Sequence, residues 1–227
     1  MKIKGVIFDL DGTLGNTFPV IFPAYRYALA QYTERKFSNE DIISLFGPSE
    51  EGVLQQLIPE HWQDGLKAYE AVYRQISLSE TQKFPAMEDI VRMLKRRGIA
   101  IAVVTGKGVN TANISLKDLG LAAYFDIVEG GAPEGVIKPA CMRKIIARWG
   151  FQPREVAYVG DAPTDISDAK EVGALAIGAA WYENTNIDAL KQQNPDELFN
   201  SLDGFRIWLD VAIQNQFGDM HLNGFHS

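Results

Sequence analysis

Four short segments carry side chains whose type and spacing suit chemistry. The first is Asp9-Leu10-Asp11-Gly12-Thr13, with two carboxylates two residues apart directly after an apolar run. Two bare anions that close repel each other, so the pair needs a cation or a proton between them. The second is Thr105-Gly106-Lys107. There a hydroxyl and free backbone N–H groups at a turn into a helix suit a phosphate oxygen. The third is Lys138-Pro139, a cation beside a residue favoured at helix starts. The fourth, Gly160-Asp161-Ala162-Pro163-Thr164-Asp165, brings two more carboxylates, four apart. Each has a plainer explanation when taken singly. Asp9 and Asp11 could belong to an Asp-rich turn bent at Gly12, Thr105 could cap a helix, and Lys138 could be a solvated cation. Asp165 could simply complement a helix dipole. Together the four complement one another: carboxylates for a hard cation, a lysine and a hydroxyl for an anion. Mg2+ prefers a few carboxylates, several waters and substrate phosphate oxygens, which is the donor set these segments offer.

The elements that must position them follow from apolar patterning. Runs at 3–8, 99–104, 124–128, 155–159 and 174–177 lack clean alternation, as expected of strands covered on both faces. Helical patterns at 87–97, 110–119, 141–149 and 166–172 each stop at a glycine. Strand alternating with helix predicts an α/β fold, a doubly wound parallel sheet with helices on both faces. Ligands of such sheets bind outside the carboxyl ends of the strands, and all four segments fall there. The rhythm breaks between 16 and 83, which offers helical patterns at 23–35, 40–46, 50–57 and 63–76 and no convincing strand. The expected organisation is a core of 1–15 and 84–227 with a helical cap, 16–83, inserted and governing substrate specificity. The alternative is one larger domain with an extended first crossover. The end, 218–227, shows no periodicity and reads as loose.

The four motifs, in this order and spacing, resemble those of the haloacid dehalogenase superfamily, and the insert resembles the small helical cap of its phosphoglycolate-phosphatase-like group. That resemblance implies a Mg2+-dependent phosphatase acting on a small phosphorylated metabolite through an aspartyl-phosphate. It makes Asp9 the nucleophile and Asp11 the general acid, then base. Gly12, Thr105, Gly106 and Lys138 would contact the phosphoryl group. Mg2+ would be bound by Asp9, the Leu10 backbone carbonyl and Asp161, with Asp165 as ligand or behind one and the Asp11 side chain in the second layer. Thr13 favours a phosphatase over a phosphosugar mutase, the runner-up, because mutases of the superfamily usually carry Val or Ile there. A phosphorylated switch and a catalytically silent binding protein are the competitors from other classes. Two positions depart from the superfamily pattern: Asn16 stands where Asp is frequent, and Gly106 where Asn is.

Composition narrows the field further. The chain has 227 residues and a formal charge of −7, which argues against a general nucleic-acid binder. No apolar run reaches membrane-spanning length, and a cytoplasmic monomer or homodimer is expected, with no membrane partner. A single cysteine, Cys141, excludes an internal disulfide framework and reads as a buried spectator. His61, His221 and His226 show no metal-ligand spacing, and Trp149, Trp181 and Trp208 read as packing residues. The insert carries Arg26, Arg35, Lys36, Lys67 and Arg74 with Tyr25, Tyr27, Phe46 and Trp62. Gly47-Pro48 looks like a cap loop facing the site. Phosphoglycolate, a sugar phosphate, a nucleotide and pyrophosphate all remain open as substrates.

Overall fold

Successive side chains of a strand point to opposite faces, and Val6, Ile7 and Phe8 are all fully buried. Both faces of that strand must therefore be covered. The computed structural model, which describes residues 3–135 and 137–214, shows how. β1 (Gly5–Phe8) leads through the two-residue β2 (Gly15–Asn16) into α1 (Phe18–Ala30), α2 (Asn39–Ile43), α3 (Glu50–Leu57) and α4 (Trp62–Glu80), and returns through β3 (Gln82–Lys83). Helix and strand then alternate as α5 (Met87–Arg96), β4 (Ala100–Val104), α6 (Val109–Leu119), β5 (Val128–Glu129), α7 (Lys138–Trp149) and β6 (Val156–Gly160). The chain closes with α8 (Pro163–Val172), β7 (Leu175–Ala179), α9 (Ile187–Gln192), β8 (Glu197–Phe199) and α10 (Leu202–Gln214).

The main sheet runs β5-β4-β1-β6-β7-β8, with every pairing parallel. β1 lies inside it, with Gly5 opposite Ala100 on one side and Val156 on the other. Val6 and Phe8 pack with α5, α6 and α10 on one face, while Ile7 packs with α7 and α8 on the other. The order reverses at β1, so the carboxyl ends of β1, β4 and β6 open onto one crevice. Helices α1 to α4 close on an apolar cluster of their own around Val20, Leu29, Leu54, Tyr69 and Tyr73.

Several elements differ from the sequence-based expectation. Of the run at 124–128, only Val128 is in a strand; Ala122–Tyr124 forms a 3-10 turn. Phe125 and Ile127 are buried, so that run marks side chains plugging the core beneath a loop. The stretch 16–83 is not free of strand. Gly15 pairs with Lys83 and Asn16 with Gln82 in a short antiparallel ribbon, and Asn16 Nδ2 donates to Gln82 Oε1 at 2.7 Å. α1 begins five residues before Pro23, which sits exposed inside it, and its early proline forgoes one backbone bond. β8 escaped the sequence reading because it is short, at the sheet edge and opens on the exposed Glu197. The expectation for 218–227 lies outside the described residues. Among the described residues no helix is long and apolar enough to cross a membrane.

Candidate active site

β1 ends at Phe8, so Asp9 and Asp11, in the loop that follows it, emerge at the carboxyl edge of the sheet. Between them and Thr13 the chain turns on Gly12, whose φ of 79° is left-handed. A Cβ there would also stand 2.2 Å from Asp161 Oδ2. Only glycine meets both demands. The turn brings Thr13 Oγ1 within 3.3 Å of Asp161 Oδ1, to which it donates. Trp181 Nε1 donates to the Thr13 carbonyl at 3.0 Å and fixes the turn from the β7 side.

Lys138 is the first residue of α7 and Pro139 the second. The Lys138 ammonium bridges Asp9 Oδ1 at 2.8 Å and Asp165 Oδ1 at 2.6 Å. Asp165 is fully buried and committed. Its Oδ1 also accepts from the Tyr158 hydroxyl at 3.1 Å, and its Oδ2 accepts from the Ala162 N–H at 3.0 Å. Burial alone would lower the Lys138 pKa, but Asp165 and Asp9 more than reverse this and hold it well above its ordinary value. Burial pushes Asp9 up to about 7 in spite of Lys138. Burial first, then the Asp9 and Asp165 anions, push Asp161 well above the usual carboxylate range.

Oxygens of Asp9, Asp161 and Asp165 lie within 4.8 Å of one another. An all-oxygen set of carboxylates, with Asp9 and Asp165 buried and Asp161 half-buried, fits a hard divalent cation. The expected backbone ligand, at Leu10, is engaged within its own loop. The Leu10 carbonyl turns into the loop and accepts from the N–H groups of Thr13, Leu14 and Gly15. The Asp11 carbonyl next to it takes no backbone bond among the described residues.

Thr105 follows β4 and is buried; its Oγ1 accepts from the Lys107 N–H at 3.2 Å. Gly106 lines the same cavity as Asp9, Lys138, Gly47 and Pro48. The candidate residues Asp9, Asp11, Thr105, Gly106, Lys138, Asp161 and Asp165 thus share one crevice of about 610 Å³, with Gly12 against Asp161 behind it.

A second charged cluster was not read from sequence. The Lys107 ammonium lies 3.5 Å from Asp11 Oδ1 and 3.8 Å from Glu50 Oε1, and 4.6 Å from the Tyr73 ring centre. Burial opposes its charge, yet Asp11, Tyr73 and Glu50 together raise its pKa. Thr17 Oγ1 donates to Asp11 Oδ1. Glu50, at the start of α3, is buried and accepts from Thr111 Oγ1 and the Gly108 N–H. Nothing in the local sequence separates Glu50 from an ordinary acidic first-turn residue. Tyr158 left a fainter signal: a tyrosine inside an apolar strand needs a partner for its hydroxyl. His61 stacks on Tyr32, and Cys141 is buried in the α7 face of the core.

The sequence matches that of the haloacid dehalogenase-like hydrolase family over residues 6–179. It is 29% identical over 187 residues to the pyrophosphatase PpaX of Anoxybacillus flavithermus, covering 80% of this chain and 85% of the relative. It is 26% identical over 184 residues to the phosphoglycolate phosphatase of Synechococcus elongatus, covering 80% of this chain and 86% of that one. Among solved structures, a haloacid dehalogenase-like family hydrolase from Streptococcus pneumoniae superposes with a TM-score of 0.74 at 22% identity, covering 91% of this chain and 98% of its own.

Proposed function

The chain belongs to the haloacid dehalogenase-like hydrolase family and is a hydrolase of phosphate esters, and from that premise we propose a Mg2+-dependent phosphatase of small phosphorylated metabolites that works through an aspartyl-phosphate on Asp9. The observation that carries this reading is the Lys138 bridge between Asp9 and Asp165 beside Asp161. A carboxylate is a poor nucleophile toward a phosphate dianion unless the charge between them is cancelled. Lys138 supplies part of that cancellation and holds a phosphoryl oxygen. Asp165, with both oxygens committed, keeps Lys138 in place. Asp9 and Asp161 would hold Mg2+, and the Asp11 carbonyl suits the third protein position better than that of Leu10. When bound, the ion neutralises charge on the attacking and transferring groups.

Thr105 and the N–H groups around Gly12 and Gly106 hold the remaining phosphoryl oxygens. Asp9 attacks phosphorus, and Asp11 gives a proton to the departing oxygen. Asp11 then takes a proton from the water that cleaves the aspartyl-phosphate. Thr17 and Lys107, both against Asp11 Oδ1, fix where that carboxyl points. Residues 16–83 act as the cap that senses the leaving group. The decisive experiment is phosphate release from p-nitrophenyl phosphate with Mg2+, after exhaustive chelation, and after Mg2+ is restored. Turnover should vanish and return. Full turnover in chelator would overturn the metal requirement, and none in Mg2+ would overturn the phosphatase.

A further inference from the structure

The crevice above Asp9 is walled by aromatic rings from both the helical insert and the sheet side. Phe18 of α1 is their hub. Its ring lies 5.4 Å from Tyr182 at 16°, 6.4 Å from Phe46 at 15° and 5.6 Å from Phe22 at 27°. All four rings line the cavity that contains Asp9 and Lys138. Phe46 is 43% exposed and lines the crevice, so protein leaves much of it uncovered.

Charge in the same cavity is distributed in one sense. Among the described residues, Lys107 and Lys138 are the only cations that line it, and no arginine does. Lys138 is held against Asp9 and Asp165, where it serves the transferring phosphoryl group and not a second anion on the leaving group. The Lys107 side chain is 2% exposed and faces Asp11, Glu50 and Tyr73. Of the cations of the insert, Arg35 pairs with Asp41 and Lys67 with Asp64, while Arg26 stays behind the lining, donating to the Phe37 carbonyl and to Asn39 with its guanidinium 5.9 Å from the Phe22 ring. Glu40 adds a carboxylate to the lining on the insert side, and Asn39, Asn184 and Asn186 add neutral hydrogen-bonding groups.

A phosphate ester whose leaving group carries a second anion would find, among the described residues, no lining cation beyond Lys107 and Lys138. Pyrophosphate releases phosphate and phosphoglycolate releases glycolate, and both leaving groups are anionic. We propose that this site instead takes phosphate monoesters of a ring-bearing, uncharged alcohol, whose flat face lies against the Phe18–Phe46–Tyr182 wall. The inference rests on the phosphatase reading above and narrows its substrate class. In the reaction the phosphorus–oxygen bond to the alcohol breaks, and the departing oxygen takes the proton of Asp11. Water supplies the oxygen that returns as phosphate and restores the proton to Asp11. Stacking and the absence of charge repulsion both favour the ring-bearing ester.

The test compares benzyl phosphate, ethyl phosphate, phosphoglycolate and pyrophosphate in Mg2+ buffer. The three monoesters leave as alcohols, which keeps leaving-group chemistry nearly constant. Benzyl phosphate should exceed the other three in kcat/KM by about 10-fold, roughly the reach of one good aromatic contact. Phe46→Ala should cost benzyl phosphate about 5-fold and ethyl phosphate less than about 2-fold, whereas general destabilisation would lower both alike. Equal or faster turnover of phosphoglycolate or pyrophosphate would overturn the ring site and leave the phosphatase standing. Calorimetry on Asp9→Asn, with benzylphosphonate against phosphonoacetate, separates the two failures. Preferential benzylphosphonate binding without turnover of any ester would keep the ring site and overturn the phosphatase. Absence of that preference, with or without turnover, would overturn the ring site.

Discussion

Asp9 pairs with the half-buried Lys138, which Asp165 also holds, so the surrounding contacts outlast a nearly isosteric change. Asp9→Asn should therefore keep the fold, by circular dichroism, while phosphate release falls below about 1% of wild type. Asp168 offers the opposite experiment. Its Oδ2 is buried without a hydrogen-bond partner among the described residues. Burial, partly countered by Lys138, raises its pKa from 3.8 to about 6. A raised carboxyl pKa means that the folded state holds the proton more tightly. Its contribution to stability is present below 3.8 and is lost as pH climbs through about 6. Asp168→Asn should then stabilise the protein at pH 7 by about 1 kcal/mol, after allowance for solvent screening. Thermal melts at pH 7 and pH 4 should show the gain only at pH 7. At this scale the sequence told most where spacing was local. Asp9 with Asp11, and Asp161 with Asp165, announce themselves within five residues. Lys107 was in plain view beside Thr105, but its partners Asp11 and Glu50 lie far away in sequence, and only the folded chain joins them.

Between elements, the seat of α3 on the core is the most specific contact. Ser49 N–H donates to the Ala132 carbonyl at 3.0 Å, and Glu50 receives Thr111 and Gly108. Gly52 lies so close to the loop after β5 that a Cβ would stand 2.2 Å from the Pro133 carbonyl oxygen. Glu50→Ala would leave Lys107 with one carboxylate and Thr111 without its acceptor. Breaking a buried charged set of this kind costs about 3 kcal/mol, which urea unfolding should register, while Glu50→Gln, which keeps an oxygen for Thr111, should lose less. Element reading succeeded where burial and period agreed: β1, β4, β6 and β7 are apolar, and helices α6, α7 and α8 stop at Gly120, Gly150 and Gly173. It failed where apolar side chains plug a core from a loop, as at Phe125 and Ile127, and where pairing involves two polar residues, as at Gln82 and Lys83.

Across the whole molecule, residues 18–80 have an apolar cluster of their own and connect to the sheet through the β2–β3 ribbon. They also touch it through hydrogen bonds from Tyr73 to Ser115 at 2.7 Å and from Asn110 to Glu70 at 2.9 Å. With the seat of α3 and the packing of Ile114 on the insert's cluster, these contacts set what a closing motion of the insert would have to keep or break. Beryllofluoride with Mg2+, an aspartyl-phosphate mimic, should shift the distance between labels on the insert and the core. No shift alongside proven mimic binding would mean a rigid layer. The central place of β1 has a further consequence, for the order in which the protein is made. β1 leaves the ribosome before its sheet neighbours β4 and β6, which begin only at Ala100 and Val156. At ordinary rates of synthesis Val6, Ile7 and Phe8 wait roughly ten seconds with both edges of their strand unpaired. The helices between them are built from nearer contacts and can assemble in the interval. During that wait the nascent chain displays a strand that ends fully buried, and a chaperone or a neighbouring nascent chain can reach it before the sheet does.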